Sequence, residues 1–186
     1  LVAVADGPGR GGFWICNWCG SGASRIVNPK RPPAHEHLLS GKPCGGSSRV
    51  LDLAHSYETD LLSIDVRVAG PSKPQAHWKS VLYALLEASC DELELSRDDI
   101  GGSLAPTGPA TWALVIFDNV PGGAGHVLRI ENHLERVLQR ALKRVTTCDC
   151  GEETSCYGCL RSYGNQRDHD ELSRGAASAL LSAMVG

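Results

Sequence analysis

Apolar and polar positions alternate differently in the two ends of this chain. Leu1-Val2-Ala3-Val4 opens in a strand-like run, so the sequence reads as a segment of a longer protein. Phe13-Trp14-Ile15 is a second strand-like run, followed by the tight turn Gly20-Ser21-Gly22. Val50, Leu51 and Leu53 mark one strand and the alternating Leu62, Ile64, Val66 and Val68 another, with the polar island His55-Ser56-Tyr57-Glu58-Thr59-Asp60 between them. Beyond Pro71 and Pro74, the residues Trp78, Val81, Leu82, Leu85 and Leu86 recur at helical spacing and predict a helix over 75–89. Glu92-Leu93-Glu94-Leu95 reads as a short strand, and the Gly- and Pro-containing stretch 101–109 as a loop. Trp112-Ala113-Leu114-Val115-Ile116-Phe117 is a buried strand ending at Asp118. A long helix over 126–146 follows, with Val127, Ile130, Leu134, Val137, Leu138, Ala141 and Val145 on one face. Two shorter helices, over 157–164 and 169–185, close the chain. The expected fold class is α/β (α+β): a mixed sheet packed with helices and carrying one or two zinc knuckles. Two parts are expected, a strand-and-loop lobe over 1–48 and a mixed α/β core over 49–186.

The cysteines change this picture most. Cys148, Cys150, Cys156 and Cys159 are spaced C-x-C-x5-C-x2-C, within reach of one tetrahedral ion. The intervening Gly151-Glu152-Glu153-Thr154-Ser155 is polar and turn-like. Two disulfides are the rival reading. Cys148 and Cys150 are poorly placed to pair with each other, and the N-terminus shows no secretory signal, so a reducing, cytoplasmic setting is expected. A second set lies at the front: Cys16-x2-Cys19-Gly20, then Cys44 in Gly41-Lys42-Pro43-Cys44-Gly45-Gly46. His35 completes a Cys3His site, with His37 as the fallback. One to two zinc ions are therefore expected, and Cys90, which follows the helical stretch Val81-Leu82-Tyr83-Ala84-Leu85-Leu86, reads as a packed free thiol.

Composition adds bounds. The 186 residues suffice for a substantial core, and no apolar run approaches the length needed to cross a bilayer, so no membrane partner is expected. The net charge of -3 rules out a polycation, leaving nucleic-acid binding to a local patch. Such a patch is visible on the long helix, where Arg129, His133, Arg136, Arg140, Lys143 and Arg144 gather opposite the apolar face. Arg129, Arg136, Arg140, Lys143 and Arg144 are the candidate DNA-phosphate contacts, because each cation can meet a phosphate along one row. Arg161, Arg167 and Arg174 extend the row.

Two further features bear on chemistry. Asp118-Asn119-Val120-Pro121-Gly122-Gly123-Ala124-Gly125-His126 is a strand, a glycine turn and a helix start, the shape of an anion cradle. It lacks the G-K-[ST] ending of a P-loop, and the glycines equally permit a sharp turn without a ligand. Gly7-Pro8-Gly9-Arg10-Gly11-Gly12 fits G-x-G-x-x-G but precedes a strand, so it reads as a hairpin turn. An alternative function, a metal-dependent nuclease or phosphoesterase, would use His55, Asp60, Asp118 and His126. A third reading is a protein–protein adaptor to a helicase subunit.

Taken in order, Cys16-x2-Cys19-Gly20, His35, Cys44, His55-x-Tyr57-x-Thr59-Asp60, Trp78-x-Ser80-x-Leu82-Tyr83-Ala84-Leu85-Leu86-Glu87, Asp118-x-x-Pro121-Gly122-Gly123-Ala124-Gly125, Cys148-x-Cys150, Cys156-Tyr157-x-Cys159-Leu160 and Ser162-Tyr163-x-Asn165-Gln166-x-x-His169 resemble a known family over nearly the whole chain. It is the MrfA-type zinc-binding (MZB) domain, found C-terminal in DEAD/DEAH-box helicases and similar also to the domain in DrmB of the antiphage system DISARM. The resemblance implies a zinc-stabilised mixed α/β module carried by, or associated with, a DNA-translocating ATPase. It implies zinc on Cys148, Cys150, Cys156 and Cys159, while the N-terminal Cys/His set points to the DrmB-like branch. This sequence has no Walker motif, so the ATPase is expected elsewhere in the polypeptide or in a partner. The expected role is to brace the motor and contact DNA phosphates in bacterial antiphage defence or DNA repair, with no catalytic residues in this module.

Overall fold

The computed structural model describes residues 2–5, 11–26, 28–66, 74–108 and 111–186. Most of the Gly7–Gly12 motif, Val68 and Pro71 lie outside them. Two compact units form, Leu1–Tyr57 and Glu58–Gly186.

The first unit is built from short antiparallel strands. β1 (Val2–Ala5) pairs with β5 (Leu53–Ser56), and β2 (Phe13–Cys16) lies between β3 (Gly22–Ser24) and β4 (Ser48–Leu51). Among the described residues little of this unit is buried, which matches strands too short and sparse to close a core of their own. Side chains tie the irregular parts instead. Trp14 Nε1 donates to the Asn28 carbonyl at 2.7 Å, Arg25 donates to the Gly11 carbonyl at 2.6 Å, and the Arg25 guanidinium lies 5.2 Å from the Trp14 ring centroid.

The second unit has a conventional core. A three-stranded antiparallel sheet has β8 (Thr111–Asp118) between β6 (Leu61–Asp65) and β7 (Ile100–Gly108). Helix α1 (Gln75–Leu93) packs on this sheet and against α3 (Leu134–Thr146) and α4 (Arg174–Val185). Short α2 (His126–Asn132) leads from the sheet into α3. Val81, Leu85 and Leu86 of α1, Leu114 and Ile116 of β8, Val137, Ala141 and Val145 of α3, and Leu181 of α4 are all fully buried in one cluster. The four-residue spacing of the α3 trio puts them on one stripe, as the apolar pattern predicts.

Five elements differ from the sequence reading. Val50, Leu51 and Leu53 fall on two strands, β4 and β5, which belong to different sheets. α1 runs on to Leu93 and stops at Glu94 in a left-handed conformation (φ 53°), so 92–95 is a helix end and not a strand. The 101–109 stretch is mostly the strand β7. Its glycines are required by neighbours, since a Cβ at Gly101 would lie 2.4 Å from the Phe117 ring and one at Gly102 would lie 2.9 Å from Leu86. The 126–146 helix breaks at His133. Its ring nitrogen hydrogen-bonds the Arg129 carbonyl at 2.9 Å, the acceptor a continuous helix would give to the His133 amide, and that amide turns to Ile130 instead. The segment over 157–164 is not a helix; a 3₁₀ helix spans Tyr163–Glu171, and α4 starts only at Arg174, capped by the Ser173 hydroxyl.

Candidate metal centres and the surfaces around them

The C-terminal cluster follows directly from the end of α3. Its sulfurs are separated by 3.6 Å (Cys148–Cys150), 3.5 Å (Cys148–Cys156), 3.7 Å (Cys150–Cys159) and 3.8 Å (Cys156–Cys159). Four sulfurs held at about 2.3 Å from one tetrahedral ion would be about 3.8 Å apart, so the donor set fits zinc. All eight cysteines are free thiols. Their protonation points the same way. Burial works against the thiolate at both Cys156 and Cys159. At Cys156 hydrogen bonding from Cys148 and the Gly158 amide overcomes it and holds the thiol at about 7, whereas at Cys159 burial prevails and pushes it to about 12. Four thiols this close cannot all ionise without a cation among them, and zinc supplies that charge.

The loop carrying these sulfurs is fastened by its carbonyls. Arg174 donates to the Cys150 and Val145 carbonyls, each at 2.9 Å, the Gly175 amide to Glu152 at 2.8 Å, and Arg144 Nε to Cys159 at 2.9 Å. The knuckle thus sits between the end of α3 and the start of α4. Below it, buried Asn165 donates to the Leu160 carbonyl at 2.8 Å and accepts from the Ser162 amide at 2.8 Å, and His169 approaches its Oδ1 at 2.9 Å.

The N-terminal cluster unites Cys16, Cys19, His35 and Cys44, with ligand atoms within 4.8 Å of one another. Cys16 and Cys44 sulfurs are 3.9 Å apart. His35 Nε2 is buried and has no hydrogen-bond partner among the described residues, as expected of a nitrogen reserved for a metal. His37 lies outside the cluster; its Nδ1 accepts from the Leu39 amide at 3.3 Å. The Cys19 amide draws the Cys16 thiol down to about 6, toward the thiolate a metal needs. Gly46 is demanded by the site, since a Cβ there would lie 2.8 Å from Cys16 Sγ. Cys90 is apart from both clusters and packs on the core, where burial pushes its thiol up to about 11.

The glycine turn is filled from within. Asp118, fully buried, accepts hydrogen bonds from the amides of Ala124 (2.6 Å), His126 (3.2 Å) and Val127 (3.0 Å). The start of α2 therefore receives an internal carboxylate where the cradle reading expected an external anion. Thr59 Oγ1 donates to the Asp118 and Val120 carbonyls at 2.8 and 3.0 Å, and the Asp118 amide donates to the Asp60 carbonyl at 3.2 Å. A Cβ at Gly123 (φ +78°) would lie 2.3 Å from Asp60 Oδ2. The segment ahead of β6 and the glycine turn after β8 therefore interlock at one end of the sheet. His55 is an exposed residue of the first unit, stacked on Tyr57 with centroids 5.6 Å apart. Among the described residues, metal-ligating side chains cluster in threes or more only at the two cysteine sites, so Asp60, Asp118 and His126 do not form a metal-holding group.

The basic face of α2 and α3 is partly committed as well. Arg129 donates to the Leu93 carbonyl at 2.8 Å, Arg136 pairs with Glu92, and Arg144 pairs with Asp91 at 2.7 Å and with Glu87 at 3.7 Å. Those acids lie on α1, a partnership no helical wheel of α3 reveals. Arg140 and Lys143 remain exposed, with no ion pair among the described residues. Arg161 and Arg174 are engaged with the knuckle, and Arg167 is exposed. The sequence reading also passes over Trp18, whose signal is its place between the two front cysteines; it is 73% exposed.

Fold and clusters together define a class, a mixed α/β module with two cysteine-rich clusters that could each hold a metal ion. Residues 81–160 match the family model of the MrfA Zn-binding domain, MZB, a span that runs from α1 through the C-terminal cysteine cluster. The resemblance read from the sequence is borne out there, and the domain is a zinc-binding one. The chain is also 26% identical to the Druantia protein DruE of Escherichia coli (strain UMEA 4076-1), over 97% of this chain and 11% of DruE. Its fold is similar to that in a crystal structure of the DUF1998 helicase MrfA bound to DNA, with a TM-score of 0.54 and 14% identity, over 81% of this chain and 20% of MrfA. The chain thus spans about a tenth of the one relative and a fifth of the other. No helix among the described residues is long and apolar enough to cross a membrane.

Proposed function

We propose that this chain is a zinc-braced accessory module of a helicase-type protein, which supports the motor and meets DNA phosphates through α3. Cys148, Cys150, Cys156 and Cys159 hold one zinc and Cys16, Cys19, His35 and Cys44 the other. The observation that carries this reading is the fastening of the C-terminal knuckle: its carbonyls receive Arg174, Gly175 and Arg144, so an ion there fixes α3 and α4 relative to each other. Support for the setting comes from the relatives, a DUF1998 helicase crystallised with DNA and a Druantia protein. Antiphage defence or DNA repair in the cytoplasm, where thiols stay reduced, suits eight free cysteines. A nuclease reading loses its centre, because the Asp118 carboxylate is spent on three backbone amides.

Arg140 and Lys143 carry the phosphate contact, Arg129, Arg136 and Arg144 being held by α1. The test is fluorescence anisotropy of duplex DNA over a salt series. Arg140→Glu with Lys143→Glu should weaken binding and lower the slope of log K against log salt by about 2. An unchanged affinity and slope would remove α3 from the interface.

A further inference from the structure

We propose that the tip of the first unit is a separate contact for unpaired nucleic acid, with Trp18 stacking on a base and the neighbouring cations meeting the phosphates. It rests on the nucleic-acid part of the reading above, but not on α3.

The tip has two parts brought together at the N-terminal cluster. One is the loop between Cys16 and Cys19, which carries Trp18. The other is the hairpin over 36–43, closed by the Glu36–Pro43 bridge and by the His37 amide donating to the Lys42 carbonyl at 2.8 Å. The Trp18 ring stands edge-on to His37 with centroids 6.3 Å apart. A Cβ built at Gly20 would lie 4.0 Å from Leu38 Cδ1, so the two loops lie side by side. Trp18, Leu38 and Leu39 are 73%, 65% and 93% exposed, an apolar tip on a unit that has little core to protect. A knuckle held by metal ligands presents an indole already ordered, so little conformational freedom is lost when a flat partner stacks on it.

Charge says what the partner is. The first unit, Leu1–Tyr57, holds six Lys and Arg against three Asp and Glu, while the second holds twelve against eighteen. The acidic balance of the whole chain therefore hides a basic unit. Lys30, Arg31, Lys42 and Arg49 are exposed there, and no ion pair in the first unit neutralises any of them among the described residues. An exposed indole on a basic unit, with the unpaired Lys42 in the adjoining hairpin, fits a polyanion with accessible π-faces, which is a single strand. A duplex stacks its bases on each other and offers none.

The test uses the full chain loaded with zinc, a labelled 20-mer of thymidine and an abasic strand of the same length. The parent chain should prefer the thymidine strand. Trp18→Ala should weaken that complex roughly tenfold and leave the abasic one unchanged, while Trp18→Phe keeps the preference. Lys42→Glu should weaken both. Metal content, measured on each variant, reports whether the knuckle is intact. Should Trp18→Ala lose metal, Trp18→Leu, apolar but without a π-face, decides the same question. Equal binding of the two strands by the parent chain, or an unchanged thymidine affinity in a metal-replete Trp18→Ala or Trp18→Leu chain, would overturn the proposal and leave the tip to a protein partner. Arg140→Glu with Lys143→Glu lowers duplex binding without touching the strand preference, so the α3 reading and this one fail separately.

Discussion

Single residues set the limits of this chain more sharply than its elements do. Gly123 is confined twice, by its positive φ and by Asp60 behind it. Gly123→Ala should therefore destabilise the second unit by about 2–4 kcal/mol, read from the denaturation midpoint. Asp168 makes a different kind of point. It accepts from Lys79 Nζ at 2.6 Å and Tyr83 OH at 2.5 Å, tying the 3₁₀ helix to α1. Burial raises its carboxyl, but Lys79 and Tyr83 outweigh this and hold it below the ordinary range, while those two acids are themselves held above theirs. A depressed carboxyl stabilises above its unfolded pKa, and a raised lysine stabilises below its own. The stability gap between the parent chain and Asp168→Asn should therefore be flat from about pH 6 to 9 and should narrow above about pH 10.5. A gap that widens at high pH would show that the tie is not electrostatic.

At the scale of elements, the legible parts were those whose cause is local. The apolar spacing of α1 and α3, the unbroken run of β8 and the cysteine spacing of both clusters stand in the sequence and in the fold. What was not legible depends on a distant neighbour. β7 reads as a loop because Gly101 and Gly102 look like turn residues, and only the Phe117 and Leu86 side chains explain them. The basic face reads as one continuous row because a helical wheel cannot show Glu87, Asp91 and Glu92 arriving from α1. The filled turn had a signal after all: a strand-terminal aspartate ahead of a glycine turn and a helix start is placed to cap that helix. For the same reason Arg136→Glu is a poor probe of DNA contact. It would set two carboxylates against each other and should lower stability by about 1 kcal/mol in thermal unfolding, whether or not DNA binds there.

At the scale of the molecule, two units of opposite charge balance each carry one candidate metal cluster, the basic unit with an apolar tip and the acidic one with a conventional core. On the proposed reading, an ion at the C-terminal cluster locks α3 to α4, and one at the N-terminal cluster orders a unit with few buried residues among those described. The first unit, with few buried residues among those described, would depend on its ion for folding, whereas the second would use its ion to fix the knuckle on an existing core. Zinc content per chain, measured by mass spectrometry on protein purified under reducing conditions, tests this most directly. Two zinc ions are expected in the parent chain, and one in each of Cys16→Ser and Cys156→Ser, the latter with α3 and α4 loosened. A folded parent chain without zinc, or a Cys156→Ser chain that keeps both ions, would contradict this reading.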